Sequence, residues 1–206
     1  MRDQEIRILG SLLEKEHTTP ETYPLTTNSL VLACNQKTNR DPVSDLTERE
    51  VEETLQTLRD KGLVRTARAD NERVYKHRHL LHDTFDLSAK GFALLAVLML
   101  RGQQTPGELR TRTDRYVTFR DLSEVEATLQ KLAEHTPPLA QNHGRGPGQS
   151  QDRWNHTLGT EEEKMRPRAR PAASTLSEVE QLRADVDTLR AGLERVYAHL
   201  GLTDEV

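Results

Sequence analysis

The sequence is short of several things, and each shortage excludes a class of protein. Among its 206 residues there is one cysteine, Cys34, so no intrachain disulfide can form, which suits a reducing compartment. Aromatic residues make up 4% and hydrophobic residues 34%, below the apolar share of about 45% usual in globular domains. Such a chain builds small cores more readily than one thick one. The longest apolar run, Phe92 to Leu100, is nine residues, whereas a membrane span needs about 20. Residues Met1 to Glu5 show no signal-peptide hydrophobic region, so a cytoplasmic protein without membrane attachment is expected. The glycines at 144–148 lack the lysine of a phosphate-cradling loop and read as a turn. No nucleophile constellation or acid–base pair stands out, so neither an enzyme nor a cofactor is expected.

Bulk positive charge is also missing, since the formal net charge is −4. Nucleic-acid binders are usually basic. The charge is unevenly spread, however. Residues 1–87 hold 13 basic and 16 acidic groups, residues 88–170 hold 13 and 10, and residues 171–206 hold 3 and 7.

What the chain does contain is a repeat. Glu50 to Leu58 reads EVEETLQTL and Glu124 to Leu132 reads EVEATLQKL, seven matches in nine at an offset of 74. Each follows a short motif, Asp45-Leu46-Thr47 or Asp121-Leu122-Ser123. In the first copy Thr47 with Glu50 forms a capping box, Val51, Leu55 and Leu58 make one helix face, and Gly62 ends the helix. Leu63–Ala67 and Arg73–Lys76 then read as strands of a hairpin. Upstream, Ile6, Leu9, Leu12 and Leu13 mark one amphipathic helix, and Thr27–Gln36 a second. The second copy repeats the plan: a helix from Ser88, another opened by Thr105-Pro106-Gly107-Glu108, a third from about Ser123, and strands near Leu139 and Arg153. Three helices and a β-hairpin, twice, predict a mainly α chain with small β-hairpin wings (α+β): winged-helix domains at 1–87 and 88–158.

The copies differ by about ten residues, which fall around Asn35 to Pro42 in the first. That run, Cys34-Asn35-Gln36-Lys37-Thr38-Asn39-Arg40-Asp41-Pro42, together with Leu12-Leu13-Glu14-Lys15, Thr18-Thr19-Pro20 and Tyr23-Pro24-Leu25, resembles the YceH-type family of uncharacterised bacterial proteins over about residues 3–158. The resemblance implies tandem winged helices and a bacterial cytoplasmic origin. It carries over no catalytic or ligand-binding residue.

Past the second copy, residues 159–175 read as a flexible linker. From 176 to 202 a heptad begins: Val179, Leu182, Val186, Leu189, Leu193, Val196 and Leu200 are spaced 3, 4, 3, 4, 3, 4. This pattern suits a coiled-coil helix that pairs two chains, or a helix that lays its stripe on its own chain.

Candidate binding residues are cationic. The first hairpin carries Arg65, Arg68, Arg73, Lys76 and Arg78, with Tyr75 among them. The second copy carries Arg110, Arg112, Arg115 and Arg120 around its helices, and Arg145 and Arg153 in its hairpin. Either set could hold the phosphates of double-stranded DNA, or be an ordinary solvated surface. Against base readout stand Glu48, Glu50, Glu52 and Glu53, and Glu124 and Glu126, at the starts of the third helices. They complement the helix dipole but repel phosphate. The loop residues Asn35, Gln36, Lys37, Asn39, Arg40 and Asp41 either face a ligand or satisfy backbone groups. His77, His79 and His82 with Asp83 invite a metal reading, but His82 lies past the strand, so no metal site is expected. Cys34 reads as a small buried helix residue. The leading expectation is a DNA-associated, transcription regulator-like protein dimerised through its C-terminal helix. The alternative is an adaptor whose winged helices bind a protein partner.

Overall fold

A computed structural model describes residues 1–68, 74–146 and 148–159. Arg73 and all seven heptad positions, Val179 to Leu200, lie outside the described residues. The described residues belong to one compact unit. The described part is α+β, with helices dominating and two small antiparallel sheets.

The first half runs α1 (Asp3–Thr18), a 3-10 turn (Pro20–Thr22), β1 (Leu25–Thr26), α2 (Thr27–Cys34), α3 (Glu48–Asp60), β2 (Val64–Ala67) and β3 (Lys76–His79). A one-turn helix, α4 (Leu81–Thr84), leads to the second half: α5 (Ala89–Arg101), α6 (Pro106–Thr113), α7 (Leu122–Glu134), β4 (Ala140–Asn142) and β5 (Trp154–His156). Among the described residues, no helix is long and apolar enough to cross a membrane.

Local chemistry explains the boundaries. Thr47 accepts from the Glu50 amide while the Glu50 carboxylate accepts from the Thr47 amide, and Thr105 and Glu108 do the same at α6. Pro106 stands in the first turn, where its missing N–H costs nothing. Gly62 follows α3 at φ +70°, the left-handed region that L side chains avoid. The cap of α7 is Asp121, which accepts from the Glu124 amide at 2.9 Å. Asp121, at the repeat offset of 74, therefore takes the place of Thr47, and the two Asp-Leu-Thr/Ser motifs are not equivalent.

The first hairpin is also shifted from expectation. Its return strand is Lys76–His79, not Arg73–Lys76, in the register Val64 to His79 and Thr66 to His77. That register turns His77 and His79 inward with Val64, where each finds a hydrogen-bond partner. β1 adds a third strand beside β3, pairing Leu25 with His77. The second half has the same device in miniature, since Gln104 bridges Trp154 just ahead of α6.

One helix serves both halves. α5 is buried on all sides from Gly91 to Leu100, which accounts for the nine-residue apolar run. Phe92, Leu95, Ala96 and Met99 enter one core with α1, α2 and α3. Leu94, Val97 and Leu98 enter the other with α6 and α7. α1 is likewise buried from Glu5 to Glu14 instead of along a single stripe, because α5 packs against its second face. Gly10 permits this: a Cβ there would lie 3.1 Å from both Leu100 and Met99 side chains.

Candidate nucleic-acid interface

The outer face of the first sheet follows from strand alternation. With Val64, Thr66, His77 and His79 turned inward, Arg65, Ala67, Lys76 and Arg78 turn outward. Arg65 and Arg78 are exposed and directly opposite each other. Neither bonds a carboxylate among the described residues. Like charges directly opposed across strands destabilise the pair. At the hairpin tip the Arg68 guanidinium lies 5.4 Å from the centre of the Tyr75 ring, and Tyr75 is 55% exposed. Arg65 and Arg78 thus meet no described carboxylate, and their face is edged by an aromatic ring.

The second-half arginines are placed differently. Arg112 and Arg153 both reach Glu108, at 3.4 and 3.1 Å. Arg120 pairs with Asp121 at 3.0 Å and Arg145 with Asp152 at 3.1 Å. Arg110 donates to the Arg120 carbonyl at 3.2 Å, and its charge also acts on Asp121. Arg115 turns away to a buried carboxylate, Glu14. These six do not form one open cationic track. Beside them, α7 and the second hairpin enclose a cleft of about 600 Å³ lined by Leu122, Glu126, Ala127, Gln130, Asn142 and Trp154 among others.

The amide-rich loop proves to be a brace. Arg40 is buried; its guanidinium donates twice to the Ala33 carbonyl, at 3.0 and 2.7 Å, and to Glu14 Oε1 at 3.2 Å, with a second, shorter bond to Glu14 Oε2. The Asn35 amide donates to the Leu46 carbonyl and accepts from the Leu46 amide, both at 2.8 Å. Asn39, at φ +59°, accepts from Arg101 at 2.7 Å, and the Asp41 amide donates to the Leu100 carbonyl at 3.0 Å. Asn35, Asn39, Arg40 and Asp41 therefore tie the loop to α1, α2 and α5, and to the segment just ahead of α3. Lys37 is exposed and Gln36 half-buried; these two are not brought to the hairpin arginines by any described contact.

Glu14 is the hub of this brace. Burial alone would raise its carboxyl, but the hydrogen bonds and charge of Arg40, aided by Arg115, hold it below the ordinary carboxylate range. The Tyr116 hydroxyl also donates to it at 3.2 Å. Burial and the Glu14 charge push the Tyr116 phenol up to about 12. Burial pushes the Cys34 thiol up to about 11, which suits an inert core residue.

The three histidines separate into two environments. His77 is bonded at both ring nitrogens, to Thr66 at 2.9 Å and Thr27 at 3.1 Å, and burial with the nearby Arg59 charge lowers it to about 4. His79 and His82 both point at one oxygen of Glu16, at 2.9 and 2.8 Å. α4 is what folds His82 back, so its position past the strand does not separate it from His79. Glu16 and Glu14 escaped sequence reasoning because each lies more than twenty residues from its partners and carried no local signature.

Residues 1–149 match the family model described as "Protein of unknown function, DUF480". The chain belongs to this family. It is 46% identical to a UPF0502 protein of Geobacter sulfurreducens over 189 residues, 89% of this chain and 86% of that one. It is 42% identical to the UPF0502 protein YceH of Salmonella paratyphi B over 206 residues, 96% of each chain. The matched span of the family model contains the Glu14–Arg40 brace and both strands of the first hairpin, whereas Asp152, Arg153 and β5 lie beyond it.

Proposed function

We propose that this member of the family is a DNA-associated, transcription regulator-like protein with two tandem winged helices, docking on the duplex backbone through its first hairpin. The repeated order of three helices and a hairpin supports the winged-helix reading. The observation that carries the binding reading is the opposed, exposed pair Arg65 and Arg78, a standing repulsion that a phosphate would relieve. Lys76 shares that face, and Arg68 with Tyr75 extends it to the tip. The carboxylates Glu48, Glu52 and Glu53 stay exposed on α3, so contact is with backbone more than with base edges. The heptad from Val179 to Leu200 supports pairing of two chains, which would set two hairpins on one duplex.

Fluorescence anisotropy of a labelled random duplex across a salt series tests this. Binding should weaken with a log–log slope of about −0.9 per neutralised phosphate. Arg65→Gln with Arg78→Gln should flatten that slope by about 2, whereas Arg120→Gln with Arg145→Gln should leave it nearly unchanged. Binding that survives the first pair unaltered would exclude the hairpin.

A second reading has its own support. The cleft beside α7 is lined by Leu122, Ala127 and Trp154 with no uncompensated cation, which suits a protein segment better than a polyanion. An adaptor is therefore the reading to pursue if the duplex is not bound at low salt. Truncation after Thr175 should halve the mass seen by light scattering if the tail pairs chains; an unchanged mass would refute pairing.

A further inference from the structure

Outside the cationic face, one cluster has a composition that neither reading uses. Glu16 ends the exposed side of α1, His79 closes β3 and His82 sits on α4. Their ligand atoms all lie within 4.8 Å of one another. The His79 side chain is fully buried, Glu16 is 31% exposed and His82 47% exposed, so the cluster has a sealed floor and an open mouth. His82 stands edge-on to Phe92 at 4.3 Å, and His79 lies 5.0 Å from His82.

We propose that Glu16, His79 and His82 form a binding site for a divalent transition ion of the zinc type. Two imidazole nitrogens and one carboxylate oxygen are a donor set suited to zinc and its neighbours, and unsuited to magnesium or calcium, which prefer oxygen. Three protein ligands with solvent at the mouth leave a fourth position for water. Tetrahedral bonds of about 2.0–2.1 Å place ligand atoms roughly 3.4 Å apart. The two nitrogen-to-oxygen separations, 2.9 and 2.8 Å, need open by roughly half an ångström each. His82, on a one-turn helix and half exposed, is free to make that adjustment.

Proton balance sets a condition on the site. The Leu81 amide donates to His79 Nδ1 at 3.2 Å, so without an ion His79 carries its proton on Nε2 and gives it to Glu16. The ion takes that proton's place. The displaced proton is taken up on Nδ1 by exchange through solvent, so the neutral ring binds the ion through Nε2 and loses its long contact with the Leu81 amide. That loss makes the site weaker than a closed structural zinc site, and metal loading a local staple between α1, β3 and α4.

Cobalt(II) titration of the tag-free full chain, followed by visible absorption, tests the assignment. One equivalent should develop the intense bands of low-coordinate cobalt, and zinc should displace it. Zinc should also raise the thermal midpoint of the native chain. His82→Ala and Glu16→Gln should each weaken uptake on the order of 10-fold or more and abolish the zinc-dependent shift. The chain's other histidines, His17 and His143 among them, make the control: His143→Ala should behave as the native chain. Circular dichroism establishes that the variants fold; were His82→Ala not to fold, Glu16→Gln alone decides. No uptake, or uptake of equal strength and spectrum in the folded variants, overturns the proposal.

Discussion

At the scale of single residues, the buried Glu14–Arg40 pair sets the largest expected effect. Both side chains are essentially inaccessible to solvent, so removing one strands the other. Glu14→Ala should destabilise the fold by about 3–5 kcal/mol in a denaturant titration. Arg115→Ala should cost much less, because that side chain is 42% exposed and water can replace it. His77 gives a pH dependence with a definite sign. Its folded value is lowered from the ordinary 6.5 to about 4, mainly by burial, so the neutral ring is the folded form. The contribution is fully present above pH 6.5 and is lost as the pH falls from there towards 4, up to about 3 kcal/mol in all. Thermal midpoints measured across that interval should fall, and His77→Gln should flatten the fall. Glu16 acts lower on the scale. Burial would raise it, yet His79 and His82 hold it at about 2, so its share is lost only as the pH drops from about 4.5 through 2.

At the scale of elements, the capping box of α3 is a separable contribution. Thr47→Ala removes an acceptor for the Glu50 amide and a donor to the Glu50 carboxylate. A cost of about 1 kcal/mol is expected, read as a shift in the denaturant midpoint with unchanged slope. The first hairpin has the opposite character. Its outer face carries Arg65 opposite Arg78, so Arg78→Thr should leave stability the same or slightly higher while weakening polyanion binding. An element that gains stability when its charge is removed is one whose charge serves something other than the fold.

At the scale of the whole molecule, α5 couples the two halves because its opposite faces enter different cores. Gly10 is where α1 and α5 come closest. Gly10→Leu would drive a side chain into Leu100 and Met99 and should cost about 1–3 kcal/mol or more. Met1–Arg166 is expected to unfold in one transition, seen alike by circular dichroism and Trp154 fluorescence. Two well-separated transitions would mean that the shared helix does not couple the halves.

Much of the architecture was legible one segment at a time. Capping at Thr47 and Thr105, the stop at Gly62, the periodicity of α3 and the repeat at offset 74 are local signals, readable because caps and helix faces depend on residues three or four apart. The chain order of three helices and a hairpin, twice, and the cationic first hairpin came from the same source. The sequence alone could not say which arginines keep their charge uncompensated. Arg65 and Arg78 read much like Arg115 and Arg153, and only the folded chain puts Glu14 beside Arg115 and Glu108 beside Arg153. Tertiary structure likewise decided that the amide-rich loop braces α1 and α5, that the return strand begins at Lys76, and that Glu16 meets two histidines more than sixty residues away. The division has one physical reason: helix ends and faces are set by neighbours along the chain, while charge pairing and ligand geometry are set by neighbours in space.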